Sequence, residues 1–511
     1  MLARGGHAVD AAIAANAVLG VVEPYMNGMG GDLFAMVYDA AHDALHGLNA
    51  SGPAPRGLAP DLFRRQGMAA MPATGIHSVT VPGAVAGWGA LHGRFGRLPL
   101  GDVLAPAAFY AEDGFPVGIV VAEGWGALEE AVAGDPGAAA TYLPSGRPPE
   151  AGTIFRNPDV ARSLRLVGAH GAEAFYRGPI GGAIVSFSQS QGGTLAATDL
   201  ASFEPEWVEP VSTTYRGWTI YELPPNTQGI AALMMLDLME TAPLARHGFH
   251  SVDALHTMIE AKKLAYADML RWVGDQRFAP APLAALLDKG RAARRAADID
   301  MQRAAAQVQP DRVAGLTTGH GGDTVYLSAI DRDGNIVSLI QSVFGGFGSG
   351  LVAPGTGFAL QNRGALFTLE AGHPNELAPG KRPLHTIIPG FMRKDDVRIG
   401  FGIMGGFNQA QAHAQFVANV VDFGLNIQEA LEAGRFTKPT FAGLDVSVEA
   451  TIPEASRRGL AARGHDVMVV PPRTHVFGYG QAVMSNGSGA HFGASEPRHD
   501  GAAIPEPTPL P

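Results

Sequence analysis

Apolar residues recur at helical spacing in several long stretches of the chain. Residues 2–24 form an apolar stretch of this kind, and residues 250–300 keep helical spacing until they end in an arginine-rich helix. Two more helical patterns occupy residues 407–421 and 427–436. Because the chain has 511 residues, these helices belong either to two domains or to one unusually large layered domain.

A different pattern begins at Thr324, where short runs rich in β-branched residues replace the helical spacing. These runs predict strands over residues 324–330, 335–342 and 357–361. Residues 302–323, just before them, lose hydrophobicity and gain glycine and threonine, as is typical of a linker. The linker therefore ends on a threonine that opens a hydrophobic strand.

The sequence Asp331–Gly334 predicts a hairpin between the first two of these strands. A three-residue loop ending at Gly334 would place Thr324 opposite Ser342, whereas a two-residue loop selects Val343 and a four-residue loop selects Gln341. In each register the Ser342 hydroxyl lies on the strand beside Thr324. A chance serine between two core strands is the plain alternative.

Composition narrows the classes of function. The chain is 46% hydrophobic and 17% charged, which is ordinary for a globular enzyme and argues against disorder. A net charge of −11 argues against nucleic acid as a partner, because phosphate binding needs clustered lysine and arginine. The absence of cysteine excludes disulfides, thiol catalysis and zinc–thiolate sites.

Targeting signals are weak in this sequence. The apolar start lacks the basic residues and the small-residue cleavage site of a signal peptide. Residues 73–93 are free of charge, but histidine, proline and several glycines interrupt them, so they indicate a buried core segment and not a membrane span. We expect no membrane partner and a cytoplasmic location, with the periplasm left open.

One match to a dinucleotide-binding fingerprint occurs at Gly400–Gly405, after a predicted strand and before a helical run. A second strand ending in an acidic residue should follow about 20 residues later. Asp422 is instead followed by another helical pattern, so the βαβ unit is incomplete. The pair Gly405 and Gly406 at a strand-to-helix turn still leaves backbone N–H groups that suit an oxyanion.

Other hydrolase motifs are missing. The sequence contains no G-x-S-x-G, no complete P-loop and, among its 17 histidines, no H-E-x-x-H. Within the run AQAHAQ, His413 is interpreted as a packed or exposed helical residue, not as a ligand.

Thr324 itself offers a nucleophile. An internal threonine hydroxyl reacts poorly unless a base lies within reach. A cut between Asp323 and Thr324 would give the threonine a free α-amine, and such an amine titrates at about 7.7–8.0, so it can accept the hydroxyl proton at neutral pH. The glycine-rich loop before Asp323 would let the scissile peptide bend toward the Thr324 hydroxyl.

Seven segments together resemble the γ-glutamyltranspeptidase family of N-terminal-nucleophile hydrolases. In chain order they are GGHAVDAAIAANAVLGVVEPYMNGMGGDLFA, SVTVPGAVAGW, LPPNTQGIAALMML, GDTVYLSAIDRDGN, GFGSGLVAPGTGFALQNRG, PGKRPLHTIIPG and SEPRHDGAA. The resemblance implies an α+β fold, a four-layer αββα sandwich formed by a precursor that cleaves itself. The large chain would be residues 1–323 and the small chain residues 324–511, the two forming one intertwined domain.

The resemblance also implies roles for single residues. Thr324 matches the family nucleophile, and Ser342 stands where a threonine hydroxyl contacts that nucleophile. Gly405 and Gly406 match the glycine pair whose N–H groups form the oxyanion hole. Neither a metal nor an organic cofactor is implied.

The chain departs from the family pattern where the substrate would bind. The stretch that carries an arginine for the substrate α-carboxylate is Asn49–Pro55 here, without arginine. Positions that bind the substrate α-amino group are occupied by Phe344, Arg363 and Leu366, none of which suits that task.

A pair of serines in the family is replaced here by His385 and Thr386. The site has lost amino-group acceptors and gained a cation at Arg363, with His385 as a second candidate. We therefore expect a small-molecule amide whose acyl part carries a carboxylate but no α-amine, as in the oxamate amidohydrolase-like and acylase-like branches. Glutathione hydrolysis stays open, as does transfer of the acyl group to an amine instead of water.

Two further expectations follow. Family members carry some two dozen residues before GGHAVDAA, so we expect an N-terminal segment to be missing, either because the chain is a fragment or because its start is misplaced. The alternative to an enzyme is an uncleaved, non-catalytic protein of the same fold that binds a small acid at Arg363. A homo-oligomer is left open.

Overall fold

Two antiparallel β-sheets form the middle of the molecule. The computed structural model describes residues 1–309 and 323–506, except for the Asp323 side chain. Its strands are β1 (Asp32–Asp39), β2 (Ala44–Ala50), β3 (Phe115–Pro116), β4 (Ile154–Phe155), β5 (Glu206–Val208), β6 (Val211–Tyr215), β7 (Trp218–Glu222), β8 (Asp323–Ile330), β9 (Ile336–Phe344), β10 (Gly390–Lys394), β11 (Val397–Ile403), β12 (Phe436–Thr437), β13 (Asp445–Glu449), β14 (Asp466–Val470), β15 (Gly480–Ser485) and β16 (His491–Ser495).

Helices cover the outer faces of both sheets. The α-helices are α1 (Ala8–Val22), α2 (Pro60–Arg64), α3 (Ala84–Phe95), α4 (Leu100–Asp113), α5 (Ile119–Ala127), α6 (Glu129–Ala133), α7 (Pro136–Tyr142), α8 (Pro158–His170), α9 (Glu173–Tyr176), α10 (Pro179–Ser190), α11 (Ala197–Ala201), α12 (Gly229–Met239), α13 (Leu244–His247), α14 (Val252–Trp272), α15 (Leu283–Leu286), α16 (Lys289–Ala296), α17 (Gln409–Val421), α18 (Ile427–Glu432) and α19 (Glu454–Ala462). Short 3₁₀ turns are Leu2–Arg4, Ile76–Ser78, Pro144–Gly146, Arg363–Leu366, Gly406–Asn408 and His475–Phe477.

The layers follow the order helix, sheet, sheet, helix. The first sheet has the strand order β5-β2-β1-β9-β8 and packs against α1 and α3, with α4 and α8 outside α1. The second sheet has the order β16-β15-β11-β10-β7-β6 and packs against α12 and α17, with α14 outside α12. Strand β8 contacts β11 and β15 across the interior, so the molecule is a four-layer αββα sandwich, as the family resemblance implies.

Both sheets combine strands from the two sides of the Asp323–Thr324 bond. In the first sheet β1, β2 and β5 come before that bond and β8 and β9 after it. In the second sheet only β6 and β7 come before it. The two segments therefore pair with each other in both sheets. Their description as the large and small chains of one intertwined domain stays a prediction.

Most of the predicted elements are present. Helices α1, α14, α16, α17 and α18 lie within the predicted helical stretches, and β8 and β9 match the first two predicted strands. Helix α1 is buried on nearly all sides because it lies between β8 and α4, which explains its almost uniformly apolar sequence. In the part of the chain that the structure describes, no helix has the length and apolar character of a membrane span.

The predicted strand over residues 357–361 is wrong. Only an isolated bridge between Val352 and Ala359 forms there. Gly357 has a φ of 79°, and its carbonyl accepts a hydrogen bond of 2.7 Å from Asn157 Nδ2 at the start of α8. The segment is apolar because it is buried outside the sheets, where Phe358 stacks on Phe175 and the Ala359 N–H donates 3.0 Å to the Tyr142 hydroxyl. Residues 310–322 of the predicted linker lie outside the described residues.

The glycine fingerprint at residues 400–405 has a packing role in β11. A Cβ added to Gly402 would lie 2.4 Å from Tyr326 Cδ2, and one added to Gly400 would lie 2.7 Å from Ile336 Cγ2. These glycines allow β11 to approach the first sheet closely. Both neighbours of β11 are antiparallel to it, so the βαβ unit of a dinucleotide site is not formed.

Candidate active site

The β8–β9 hairpin places Thr324 beside Ser342. The register pairs Ile330 with Ile336 and Val325 with Gln341, which is the register of the predicted three-residue loop. A bulge lies between Asp323 and Val325. Thr324 Oγ1 donates a hydrogen bond of 3.2 Å to Ser342 Oγ, and both side chains are buried. In the uncleaved chain the Thr324 nitrogen is a peptide nitrogen.

Ser342 Oγ is a shared acceptor. It accepts 2.8 Å from the Phe344 backbone N–H and 3.0 Å from Arg363 Nη2, in addition to the Thr324 hydroxyl. Phe344 has a φ of 81°, which is a strained conformation for a residue other than glycine. Its ring lies 4.5 Å from the Arg363 guanidinium carbon. At the end of β9, the Phe344 ring therefore packs against the Arg363 guanidinium.

Arg363 is buried at the start of a 3₁₀ turn. Its Nη1 donates 2.8 Å to Thr386 Oγ1, while Nε has no partner among the described residues. Burial lowers the pKa of Arg363 to about 9, against the opposing effect of Asp32, so the guanidinium is charged at neutral pH. The structure places the predicted cation next to Ser342, and its contact with a substrate carboxylate stays a prediction.

His385 is not the second cation that we expected. Burial, with a smaller effect from charged Arg363, holds the pKa of His385 well below its usual value. Its Nδ1 accepts 3.4 Å from the Ile387 N–H, so Nε2 carries the hydrogen that faces Asp32 Oδ2 at 3.1 Å. His385 is therefore a neutral donor to Asp32, and the prediction of a positive charge on it is wrong.

Sequence reasoning missed Asp32, the first residue of β1. Its Oδ1 accepts hydrogen bonds from the Gly52 N–H, the Gly83 N–H and Gln361 Nε2, at 3.0, 3.1 and 2.9 Å. Burial raises the pKa of Asp32 to about 7, an effect that Arg363 partly opposes. The available signal was one carboxylate at the head of an otherwise apolar run, DLFAMVY.

The Gly405–Gly406 turn connects to this cluster through Gln228. Gly405 has a φ of 132° and Gly406 a φ of 57°, a sequence of conformations that favours glycine. The Gln228 side chain donates 2.7 Å to the Gly406 carbonyl and 2.5 Å to the Thr386 carbonyl. Neither glycine N–H donates to another described residue, and their role as an oxyanion hole stays a prediction.

Asn49 lies further from Thr324. At the end of β2, its Nδ2 donates 3.0 Å to Asn226 Oδ1 and its Oδ1 accepts from Ser51. The Asn226 carbonyl in turn accepts 2.8 Å from the His385 N–H. Asn49 therefore supports the His385 backbone, and its predicted contact with substrate is untested.

Two clusters of possible metal ligands lie elsewhere in the described part of the chain. His256, Glu260 and His465 form a buried group, and Glu23, His499 and Asp500 form a more exposed one. In the buried group, Lys263 Nζ already lies 2.7 Å from Glu260 Oε1. A resident ammonium disfavours a second cation there. The expectation that no metal takes part in the reaction stays a prediction.

Comparisons with known proteins identify the family of the chain. The family model described as gamma-glutamyltranspeptidase matches residues 1–506. The glutathione hydrolase-like YwrD proenzyme of Bacillus subtilis is 35% identical, with 99% of this chain and 95% of that protein covered. The oxamate amidohydrolase proenzyme of Klebsiella pneumoniae is 33% identical, with 98% and 95% covered.

A solved structure of a similar protein has the same architecture. The cephalosporin acylase from Bacillus halodurans is 41% identical and superposes with a TM-score of 0.90, covering 98% of this chain and 91% of that one. The family-model match to residues 1–506 includes both sheets, the hairpin that carries Thr324 and the glycine turn. This chain belongs to the gamma-glutamyltranspeptidase family of N-terminal-nucleophile hydrolases.

Proposed function

We propose that this enzyme cuts its own chain between Asp323 and Thr324 and then hydrolyses small amides with Thr324 as nucleophile. The observation that carries the proposal is the buried hydrogen bond from Thr324 Oγ1 to Ser342 Oγ, with Ser342 held in turn by Arg363. A hydroxyl fixed in this way at the head of a strand is ready to attack a carbonyl carbon.

Self-cleavage begins with attack of Thr324 Oγ1 on the Asp323 carbonyl carbon. The Asp323–Thr324 C–N bond breaks as the acyl group moves to oxygen, and the nitrogen becomes an amine. Water then hydrolyses the resulting ester, which leaves a carboxylate on Asp323 and a free α-amine on Thr324. Nucleophile and base then belong to one residue.

Turnover repeats this chemistry on an external amide. The Thr324 α-amine takes the Oγ1 proton as the oxygen attacks, and it returns the proton to the departing substrate nitrogen when the C–N bond breaks. The N–H groups of Gly405 and Gly406 stabilise the tetrahedral oxyanion. Water releases the acyl group from the ester as a carboxylic acid, and an amine in place of water would give transfer.

The preferred acyl group carries a carboxylate without an α-amine. Arg363 supplies a positive charge beside Ser342, whereas Phe344, Arg363 and Leu366 offer nothing to hold an ammonium group. The name of the oxamate amidohydrolase relative fits such a substrate, and that of the glutathione hydrolase-like relative fits a γ-glutamyl amide. Both classes carry a carboxylate, and the lack of an ammonium acceptor at positions 344, 363 and 366 favours the first.

Intact-mass spectrometry under denaturing conditions tests self-cleavage. We expect wild type to give two species, residues 1–323 and 324–511, and Thr324→Ala to give one uncut chain. Thr324→Ser keeps a hydroxyl and should still be cut. An uncut wild type would refute the proposed function.

A pair of chromogenic anilides tests the substrate class. We expect faster release of p-nitroaniline from the glutaryl anilide than from the γ-glutamyl anilide, because the two differ only in the α-amine. Addition of glycylglycine, followed by product analysis, separates hydrolysis from transfer. A clear preference for the γ-glutamyl anilide would contradict the substrate class while leaving amide hydrolysis intact.

A further inference from the structure

Asp32 and Arg363 are buried ionisable residues, and both lie next to Ser342. In the β1–β9 register Asp32 is the direct partner of Ser342, and Arg363 Nη2 donates to the Ser342 hydroxyl. All three side chains have no exposed surface. Asp32 on β1 is therefore the strand neighbour of Ser342 on β9, the residue that accepts the hydrogen bond of the Thr324 hydroxyl.

The hydrogen-bond partners of Arg363 do not balance its charge. Nη1 and Nη2 donate to the hydroxyls of Thr386 and Ser342, which are neutral. The titratable groups that face Asp32 are Arg363, neutral His385 and the Tyr176 phenol, whose pKa is raised mainly by burial and further by the Asp32 charge. A buried cation without a counter-charge is costly, and in this group only Asp32 can supply one.

Asp32 has several fixed hydrogen-bond partners. Two backbone N–H groups and the Gln361 amide bind Oδ1, and His385 faces Oδ2. Its raised pKa means that the charged form costs stability near neutral pH. Retention of a costly charge beside the nucleophile is the pattern expected of a functional group.

We infer that Asp32 is a positioning residue of the proposed reaction, the counter-ion that keeps the Arg363 guanidinium on Ser342 and thereby holds the Thr324 hydroxyl in place. This inference rests on the proposed function. It assigns to Asp32 no contact with the substrate.

The first test compares rates at several pH values, using the glutaryl anilide and the variant Asp32→Asn. The amide keeps an acceptor for the loop N–H groups but carries no charge. We expect the ratio of wild-type to variant rate to be near one at pH 5, where Asp32 is protonated, and to rise to between about 10 and 100 at pH 8. The Thr324 amine titrates in both proteins and largely cancels from the ratio.

The control is Asp39→Asn, which changes a carboxyl at the far end of the same strand, where it binds surface His42. Its rate ratio should stay near one at every pH. A constant ratio for Asp32→Asn across the pH range would show a purely structural role and overturn the inference.

A second test needs no substrate and so separates this inference from the proposed function. Melting temperatures are measured for Asp32→Asn, Arg363→Gln and the double variant. If the two charges compensate each other, the double variant melts at a higher temperature than the sum of the two single losses predicts. Additive losses would overturn the inference even if the enzyme is active. If wild type is uncut and inactive, the proposed function fails, and the positioning role of Asp32 in that reaction fails with it.

Discussion

At the scale of single residues, the site depends on the hydrogen bonds of one buried serine. Ser342 Oγ accepts from the nucleophile, from a backbone N–H and from a guanidinium, so its position fixes all three groups. The structure shows what two residues that depart from the family pattern, Arg363 and His385, contact at this site. Arg363 is a charged partner of the serine, whereas His385 is a neutral partner of Asp32.

Ser342→Ala should slow both self-cleavage and amide hydrolysis by about 10- to 100-fold, because it leaves buried donors without an acceptor at a cost of roughly 1–3 kcal/mol. Single-turnover cleavage followed on denaturing gels, with anilide assays alongside, measures the loss. Ser338→Ala is the matched control, since Ser338 lies on the same strand but binds the Tyr326 hydroxyl. Unchanged rates in Ser342→Ala would exclude a role for this hydroxyl.

The charge of Asp32 should also appear in the pH dependence of stability. Its folded pKa of about 7 lies above the unfolded value of 3.8, so the folded state binds more protons between these values. The Asp32 contribution to the free energy of unfolding is therefore largest below about pH 4 and is lost as the pH rises through about 7. From pH 5 to pH 8, the free energy of unfolding measured by urea denaturation should fall less in Asp32→Asn than in wild type. Equal decreases would contradict the raised pKa.

At the scale of elements, two features decide the geometry of the site. The hairpin loop at residues 331–335 sets the register that brings Thr324 to Ser342, with Asp331 N–H donating 3.1 Å to the Asn335 carbonyl. The glycines of β11 set the distance between the sheets and so the depth at which the Gly405–Gly406 turn lies. A sequence motif that resembles a cofactor fingerprint is explained by sheet packing.

Gly402→Ala should destabilise the protein by roughly 1–3 kcal/mol, because the new methyl group would overlap the Tyr326 ring and push the sheets apart. Chemical denaturation measures the change in the free energy of unfolding. Gly93→Ala in α3 is the control, since no atom lies within 4 Å of the added Cβ and alanine favours a helix. Equal stability of the two variants would show that the sheets can separate without cost.

At the scale of the whole molecule, the cut at Thr324 divides the sequence but not the core. The first sheet places β9, from the second segment, directly against β1, from the first. The second sheet joins β10 to β7 in the same way. Main-chain hydrogen bonds and buried side chains therefore cross between the segments in both sheets.

The two product chains should remain associated after cleavage, because separation would expose the edges and inner faces of both sheets. Size-exclusion chromatography under native conditions should give one peak containing both chains, and mass spectrometry under denaturing conditions should give two species. Recovery of free small chain from a native column would contradict the shared core.

The sequence by itself determined the local features and the candidate chemistry. Periodicity located helices α1, α14 and α17, turn residues located the hairpin, and the combination of a glycine-rich loop with Thr324 indicated an N-terminal nucleophile. These predictions succeed because spacing, turn propensity and side-chain chemistry depend on neighbouring residues in the chain.

Only the tertiary structure decided which charges exist at the site and what balances them. Asp32 and Ser342 are 310 positions apart, and Arg363 and His385 become partners of that pair only after both sheets have assembled. Burial then sets the charge of each group, keeping His385 neutral and Arg363 charged. Desolvation and long-range pairing are properties of the folded interior, so no local pattern in the sequence could reveal them.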